Sequence, residues 1–326
     1  MTSVVSAQPL DDRAEIGILT VISVELEAAL KAFPPLKRTK DPRSGTIFRT
    51  GTIHSELTNH DYRVVLVCID EPGNPAAAAA ATELLLKYDP RAVLLMGIAG
   101  GMRDKLKIGD VAFSERVVAY GSAALTKATD GTTRVERRPD IDRTPHRMMQ
   151  DVADYLARPD PQRLTALFRK MDGQFPTPPP GKEEEYAKHV ASAVRAKLGT
   201  IGAGEKLMRN PDEIKALNRD VHSKLQVVAM EEVGLVNAAR RLDAPWLVIR
   251  GISDFGDEFK NDDFHVFASK AAAAVLVDFL VHGIDVGPPE PPPGWKAAET
   301  VTEQWKEETR DVIGDGVRII QAHLDN

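Results

Sequence analysis

The sequence predicts an α/β protein, and two observations support this fold class. Short runs rich in β-branched residues alternate with segments whose apolar residues recur at helical spacing, as in a sheet covered by helices. The chain has 326 residues, 43% of them hydrophobic and 28% charged, so it can bury a layered core. Its single Cys excludes a disulfide scaffold and a cysteine-based zinc site, and fits a reducing compartment.

The predicted elements follow from these patterns in chain order. Apolar and β-branched runs predict strands at Ile16–Val21, Thr46–Ile53, Val64–Ile69, Ala92–Ile98, Val111–Tyr120, Thr200–Ala203, Gln226–Ala229 and Trp246–Ile252. Helical spacing predicts helices at Glu25–Ala32, Pro75–Tyr88, Pro211–Asn218, Met230–Leu242 and Phe264–Val281.

Two segments interrupt this alternation. Between residues 122 and 199 the strand signal disappears and prolines recur, which predicts an insertion with helices at Pro145–Leu156 and Glu183–Leu198. Near the end, the run GPPEPPPG is typical of a stiff, extended linker. The predicted organisation is a flexible N-terminus at residues 1–15, a main domain at 16–284 with its insertion at about 122–199, a Pro-rich linker at 285–294 and a helical tail at 295–326.

Charge and hydropathy exclude some partners and locations. The formal net charge of −6 argues against nucleic acid as a partner. The first residues lack the basic and apolar regions of a secretory signal, and no apolar run approaches the roughly 20 residues that span a bilayer. We therefore expect a cytoplasmic protein with no membrane segment and no nucleic-acid partner.

Candidate binding residues lie where strands end, because ligands of open α/β sheets bind beyond the carboxyl ends of the strands. Glu25 follows the first strand at a helix start, where the helix dipole favours a carboxylate. A first-turn Glu that only complements the dipole is the alternative. Gly97, Ile98 and Ala99 follow another apolar strand, and glycine there lets a ligand approach the backbone. The alternative is a tight turn.

Two more strand ends carry polar residues. Glu231 follows a short apolar strand, and its two oxygens suit the cis-diol of a ribose. A Glu on a surface helix is the alternative. The last predicted strand delivers Arg250, Ser253 and Asp254 to its carboxyl end. Three polar residues that close such an apolar strand indicate a functional role.

Several ligand motifs are missing from the sequence. It contains neither G-x-G-x-x-G nor GxxxxGK[ST], so a Rossmann dinucleotide site and a P-loop are both unsupported. The acidic residues between 254 and 263 do not match the spacing of an EF-hand, and no His pair has the spacing of metal ligands. We expect no cofactor and no metal ion.

At these strand ends the sequence resembles the superfamily of purine nucleoside phosphorylases and methylthioadenosine/S-adenosylhomocysteine nucleosidases. The segments that carry the resemblance are, in order, GILTVISVE, GNPAAAAAATELL, MGIAGGMRDKLKIGDV, VVAMEE and RGISDFGDE. They lie within Ile16–Tyr120 and Thr200–Leu280. The resemblance implies a three-layer phosphorylase-like sandwich with a central mixed β-sheet flanked by helices. It also implies cleavage of the N-glycosidic bond of a purine nucleoside or nucleotide, with adenine as the leading base.

The resemblance also implies a role for each candidate residue. Asp254 protonates or hydrogen-bonds purine N7, so we expect its side chain to be desolvated, and Glu25 positions the attacking water. These two residues are the predicted catalytic groups. The implied substrate contacts are Glu231 and Met230 at the ribose, Arg250 near the water, Ser253 at the base, and the turn formed by Gly97, Ile98 and Ala99.

The sequence departs from the family pattern at three positions. Ile98 stands where members often have Ser, and Leu95 stands where bacterial phosphorylases have a phosphate-binding Arg, so hydrolysis is favoured over phosphorolysis. Leu207 occupies the approximate place of an aromatic residue that stacks on the base, and we expect Phe255 or the insertion to supply that contact. The alternatives are a phosphate-dependent phosphorylase and a non-catalytic nucleotide-sensing module of a signalling or defence system.

The insertion and the tail suggest further partners. Arginines cluster in the insertion and are candidates to bind the phosphates of a nucleotide substrate, although a solvated basic surface is the alternative. They are Arg134, Arg137, Arg138, Arg143 and Arg147. The resemblance implies a homo-oligomer. The tail is a candidate site for a protein partner, with packing on the chain's own surface as the alternative.

Overall fold

The computed structural model describes residues 13–69, 71–127, 132–205, 210–256 and 262–287. Its strands are β1 Ile16–Thr20, β2 Lys37–Lys40, β3 Ile47–Ser55, β4 His60–Cys68, β5 Ala92–Gly101, β6 Ile108–Ala119, β7 Ala123–Lys127, β8 Thr133–Arg137, β9 Asp140–Arg143, β10 Val190–Ala203, β11 Leu225–Ala229 and β12 Trp246–Asp254. Its helices are α1 Ser23–Ala32, α2 Asn74–Tyr88, α3 His146–Ala157, α4 Pro161–Lys170, α5 Glu183–His189, α6 Pro211–Asp220, α7 Glu232–Arg241 and α8 Asp262–His282.

A mixed ten-stranded sheet forms the centre of the fold. Its strand order is β11-β10-β6-β12-β5-β1-β4-β3-β2, and β9 pairs with β6. Strand β5 runs parallel to both β1 and β12, whereas β6 runs antiparallel to β12. Strand β11 pairs with β5 as well as with β10. The carboxyl ends of β1, β5, β11 and β12 are thereby brought close together. The predicted α/β class with a central mixed sheet is confirmed.

Helices cover the sheet in two groups. Helix α8 packs on β5, β6 and β12 and also contacts α1 and α4, while α2 and α7 pack against each other and against β1 and β12. Every residue of β12 is buried, as its apolar run requires for a strand covered on both faces. This packing holds the strand that ends at Asp254 rigidly in the core.

Helix α8 corrects one sequence expectation. Residues Phe264–His282 have a mean hydropathy of 1.7 and are long and apolar enough to cross a membrane, so the view that no run approaches this length was wrong. In the fold, 78% of that window is buried, and Phe279, Leu276 and Ala272 lie fully inside the core. Its apolar composition is explained by this burial.

The predicted insertion is shorter and more structured than expected. Helix α5 ends at His189, and the chain continues as β10, which pairs with β6 and β11 in the main sheet. The helix predicted at Glu183–Leu198 is therefore wrong from Val190 onward, because pairing with neighbouring strands overrides the helical propensity of Ala, Lys and Leu. Strands β7, β8 and β9 and helix α4 were also not predicted, whereas α3 matches the helix predicted at Pro145–Leu156.

The chain divides into two units, Met1–Val286 and Gly287–Asn326. Within the first unit, Ala14 and Glu15 are buried, and Glu15 accepts hydrogen bonds from the Arg63 amide and the His60 ring. The prediction of a flexible N-terminus at residues 1–15 is therefore wrong for Ala14 and Glu15. Residues 1–12, residues 288–294 of the predicted linker and the tail at residues 295–326 lie outside the described residues.

Candidate active site

One cavity of about 310 Å³ lies where the carboxyl ends of four strands meet. A cavity of this size falls at the lower end of small-molecule sites. The end of β1, the start of α1 and the carboxyl ends of β5, β11 and β12 all contribute to its lining. The predicted residues that line the cavity are Glu25, Ile98, Ala99, Met230, Glu231, Arg250, Ser253 and Asp254.

Arg250 is the centre of an ionic network beneath this cavity. Its Nε donates to Oε1 of Glu232 at 2.6 Å, and its Nη2 donates to Oε2 of Glu231 at 2.7 Å. Its Nη1 donates to the carbonyl of Ile98 at 3.2 Å and lies 3.9 Å from Oε1 of Glu25. All four charged side chains are buried. Three carboxylates thus share one guanidinium.

Burial shifts the protonation equilibria of this network. Desolvation raises the pKa of Glu25 above its ordinary value of 4.5, and the Arg250 charge and three backbone amides only partly oppose it. Desolvation likewise raises the pKa of Glu232, against the opposing effect of Arg250. Burial alone would lower the pKa of Arg250, but the three carboxylates raise it above its usual value. The guanidinium therefore stays charged.

The backbone fixes the orientation of Glu25. Its Oε2 accepts hydrogen bonds from the amides of Val21 at 2.7 Å and Ile22 at 3.2 Å, and its Oε1 accepts one from the amide of Ile98 at 2.8 Å. These donors come from the end of β1 and from β5, so the carboxylate joins two strand ends. A raised pKa makes this carboxylate a stronger base than an exposed Glu.

Asp254 is the last residue of β12 and lines the same cavity. Its Oδ1 accepts a hydrogen bond from the Gly256 amide at 2.8 Å, and its Oδ2 lies 3.0 Å from the Ser253 hydroxyl. The Ser253 hydroxyl is also 3.4 Å from the carbonyl of Ala99. The side chain of Asp254 is 9% exposed, so the predicted desolvation is confirmed. Asp254 is therefore held in one orientation while it still reaches the cavity.

Gly97 contributes space rather than a direct contact. A Cβ on Gly97 would lie 2.6 Å from Oε1 of Glu25 and would collide with Nη1 of Arg250. The absence of a side chain therefore lets Glu25 and Arg250 approach each other behind Ile98. Gly97 does not line the cavity, so its predicted role as a substrate contact is corrected to one of positioning.

The sequence did not reveal three residues of this site. Glu232 is fully buried and holds both the Arg250 guanidinium and the Glu231 amide. Tyr120 and His265 line the cavity, and the Tyr120 hydroxyl and His265 Nε2 are buried without a hydrogen-bond partner among the described residues. Tyr120 carried a usable signal, because it is the last residue of a predicted strand. Glu232 gave no separate signal beside Glu231.

One of the two predicted base contacts, Phe255, does not line the cavity. Phe255 is buried outside it, where its ring packs edge-on against His189 at 5.9 Å and lies 5.2 Å from the Arg103 guanidinium. The prediction that Phe255 contacts the base is corrected, because the chain turns away after Asp254. Leu207 lies outside the described residues.

The arginines of the insertion do not form one patch. Arg137 pairs with Glu213 at 3.8 Å, and Arg138 pairs with Glu136 at 3.9 Å. Arg147 donates to the carbonyl of Asp285, beyond the carboxyl end of α8. The cavity lies near the start of that 21-residue helix, about 30 Å away. The predicted phosphate contact of Arg147 is therefore wrong.

The remaining members of the cluster give less information. Arg143 is exposed on β9, opposite Arg116 of β6. The backbone of Arg134 lies in β8, and its side chain is not described. Within the described ranges, no group of three or more His, Cys, Asp or Glu side chains is arranged to hold a metal ion.

The profile of the phosphorylase superfamily matches residues 15–281, and the chain belongs to this superfamily. The predicted family is confirmed. The chain is similar to the ATP nucleosidase Cap17 of Escherichia coli, with 35% identity over 282 residues, which cover 85% of this chain and 53% of that protein. The chain thus spans about half the length of this relative.

Other relatives match over nearly their whole length. The 5′-methylthioadenosine/S-adenosylhomocysteine nucleosidase of Listeria monocytogenes serotype 4b is 25% identical over 268 residues, which cover 81% of this chain and 98% of that enzyme. The Streptococcus pneumoniae MTA/SAH nucleosidase, solved in complex with 8-aminoadenine, superposes with a TM-score of 0.58 at 22% identity, covering 82% of this chain and 98% of the other. This structural likeness supports the fold.

Proposed function

We propose that this chain is a nucleosidase that hydrolyses the N-glycosidic bond of a purine nucleoside or nucleotide, with adenine as the base. One observation carries the proposal. Glu25, Glu231 and Asp254 come from three separate strand ends, and all three line the same 310 Å³ cavity. A bond cleavage that builds positive charge on a sugar and negative charge on a leaving base requires such a set of carboxyl groups.

Each group has a distinct role in the proposed reaction. Asp254 protonates N7 of the base, so that the base departs as a neutral molecule. Glu231 accepts hydrogen bonds from the ribose hydroxyls, and its carboxylate is held in place because Oε1 accepts from the Gly73 amide and Oε2 accepts from Arg250. Glu25 orients a water molecule toward C1′, takes its proton and stabilises the positively charged sugar.

The charge of the cavity favours water over phosphate as the nucleophile. Arg250 is the only Lys or Arg among the described residues that line it, and three carboxylates already surround that guanidinium. With the carboxylates ionised, three negative charges face one positive charge. A phosphate dianion at this place would meet net repulsion, whereas neutral water would not.

Tyr120 is the proposed aromatic contact for the base. Its ring packs beside the backbone of Gly202 and Gly204, and the residue also lines the cavity. Burial raises the pKa of Tyr120 to about 12, so its hydroxyl stays protonated and available as a donor. Tyr120 thereby supplies the aromatic contact to the base that we expected from Phe255.

We also propose that the substrate is phosphorylated at its 5′ position. A relative carries the name ATP nucleosidase, and Arg137 of β8 lies opposite Ala123 of β7, three residues after the cavity residue Tyr120. Arg137 is therefore the proposed phosphate contact. Arg137→Ala should raise the KM for ATP and leave the KM for adenosine unchanged, and Arg147→Ala is the matched control. Equal KM values for ATP in both variants would contradict this role.

The cellular setting is part of the same proposal. We assign a cytoplasmic homo-oligomer that serves bacterial defence, with the tail as the site for a protein partner. The relative named Cap17 supports the defence role, and the exposed side chain of Val266, next to His265 of the cavity, supports a subunit contact near the site. Light scattering of the full chain tests the oligomer, and a monomeric mass would refute it.

A substrate panel tests the proposed reaction. The full chain is incubated with adenosine, methylthioadenosine, inosine, AMP and ATP, with and without phosphate, and the products are separated by chromatography. The proposal predicts free base and a ribose product without phosphate. Release of ribose 1-phosphate that depends on added phosphate would establish a phosphorylase, and binding without release of base would establish a sensing module.

A further inference from the structure

A second cavity, of about 380 Å³, lies outside the catalytic site and is strongly basic. Six Lys or Arg side chains line it against only two Asp, although the whole chain has a net charge of −6. The six are Arg103, Lys105, Lys107, Lys188, Arg195 and Lys197, and we call this cavity the basic cleft. Its size suits a small molecule rather than a long polymer.

Part of this positive charge is balanced within the fold. Lys197 pairs with the buried Asp110 at 2.6 Å, and the Lys107 ammonium donates to the carbonyl of Ala187 at 2.7 Å. Asp110 also accepts from the Lys107 amide. These contacts attach the walls of the basic cleft to β6 and β10, so the cleft is a built feature of the sheet edge.

The rest of the charge is not balanced. Lys105, Lys188 and Arg195 are exposed and form no ion pair with any residue that the structure describes. They come from the loop after β5, from α5 and from β10, so three separate elements direct cations toward one concave surface. Like charges held in one cleft repel each other, and an anion with several charges removes this repulsion.

The basic cleft adjoins the catalytic site through one aromatic ring. Phe255 directly follows Asp254, and its ring lies 5.2 Å from the guanidinium of Arg103 and 5.9 Å from the ring of His189. Both Arg103 and His189 line the cleft, while Asp254 lines the catalytic cavity. The two cavities are therefore neighbours with separate linings.

We infer that the basic cleft is a binding site for an oligophosphate chain, separate from the catalytic cavity. Tetrahedral phosphate groups accept hydrogen bonds from both Lys and Arg, and a chain of two or three phosphates carries several negative charges to match Lys105, Lys188 and Arg195. The chain is either a free oligophosphate or the phosphate end of a nucleotide. The inference does not depend on the proposed nucleosidase reaction.

The test is a calorimetric titration of the full chain with tripolyphosphate. The cleft variant carries Lys105→Ala, Lys188→Ala and Arg195→Ala. The control variant carries Lys37→Ala, Arg38→Ala and Lys40→Ala on the exposed edge strand β2, which changes the net charge equally. We expect one site per chain in the wild type and in the control, and a Kd about tenfold or more weaker in the cleft variant.

Other results would overturn the inference. They are an equal Kd in all three proteins, or no saturable binding to the wild type. Thermal melting checks the fold of the cleft variant, and Lys188→Glu alone repeats the comparison if the triple variant does not fold. Competition by ATP in the Asp254→Asn background identifies the source: displacement of tripolyphosphate assigns a nucleotide, no displacement assigns a free oligophosphate, and both support the site. No turnover is needed, so failure of the proposed reaction would not affect the readout.

Discussion

Replacing Arg250 by Met removes the cation that three buried carboxylates share. The guanidinium donates at 2.6 Å to Glu232 and at 2.7 Å to Glu231, and it lies 3.9 Å from Glu25. Removing one partner of a buried ion pair costs about 3–5 kcal/mol, because the remaining charge is left uncompensated. For a chain of 326 residues, with an unfolding entropy of about 2.1 cal/mol/K per residue, that loss lowers Tm by roughly 4–7 °C.

The cost should depend on pH in a defined direction. Burial already raises the pKa of Glu25 and Glu232, while Arg250 lowers both, so the variant raises them further. A carboxyl group whose pKa is higher in the folded than in the unfolded state favours folding at low pH, and this contribution is lost as pH rises through the folded pKa. The Arg250→Met variant should therefore lose the most free energy of unfolding, relative to the wild type, near pH 8, and the loss should become smaller toward pH 5.

Urea unfolding at pH 5, 6.5 and 8 measures this deficit, with tryptophan fluorescence as the signal because Trp246 is buried in β12. Arg241→Met is the control, since Arg241 is exposed and its loss should change stability by about 0.5 kcal/mol or less. A deficit below about 1 kcal/mol at pH 8, or an equal deficit at pH 5 and pH 8, would refute the network's role.

Three further predictions concern turnover. Because burial raises the pKa of Glu25, the acid limb of kcat should lie above pH 4.5, and a limb at or below that value contradicts its role as the base. Gly97→Ala places a Cβ 2.6 Å from Oε1 of Glu25 and should lower kcat about 100-fold, while Gly121→Ala, which meets no atom within 4 Å, should not. Tyr120→Phe should raise the KM for adenosine about 2–10-fold by removing a donor to the base, and an unchanged KM would show that the hydroxyl makes no substrate contact.

The sequence predicted the site residues whose positions follow from the order of strands and helices along the chain. Asp254, Glu231 and Glu25 each follow an apolar strand, and strand ends of an α/β sheet meet at one edge, so their convergence was predictable. Glu232 was not predictable, because a buried carboxylate with a buried partner leaves no periodic signal. Its role depends on Arg250, which lies 18 residues away along the chain.

The errors share a physical cause, which is contact between distant segments. Residues 190–198 have helical propensity, but pairing with β6 places them in a strand. Arg137 and Arg147 are close in sequence, yet Arg137 pairs with Glu213 of α6 and Arg147 binds a carbonyl past the far end of α8. Closeness along the sequence therefore wrongly suggested that these arginines form a single basic patch.

The most direct test of the proposed reaction is the rate of adenine release by the wild type and by the Asp254→Asn variant. The asparagine keeps the shape of the side chain but carries no transferable proton, so turnover should fall by about 100-fold or more while the melting temperature stays near that of the wild type. A folded variant that releases adenine at a rate near that of the wild type would show that Asp254 is not the acid and would contradict the mechanism.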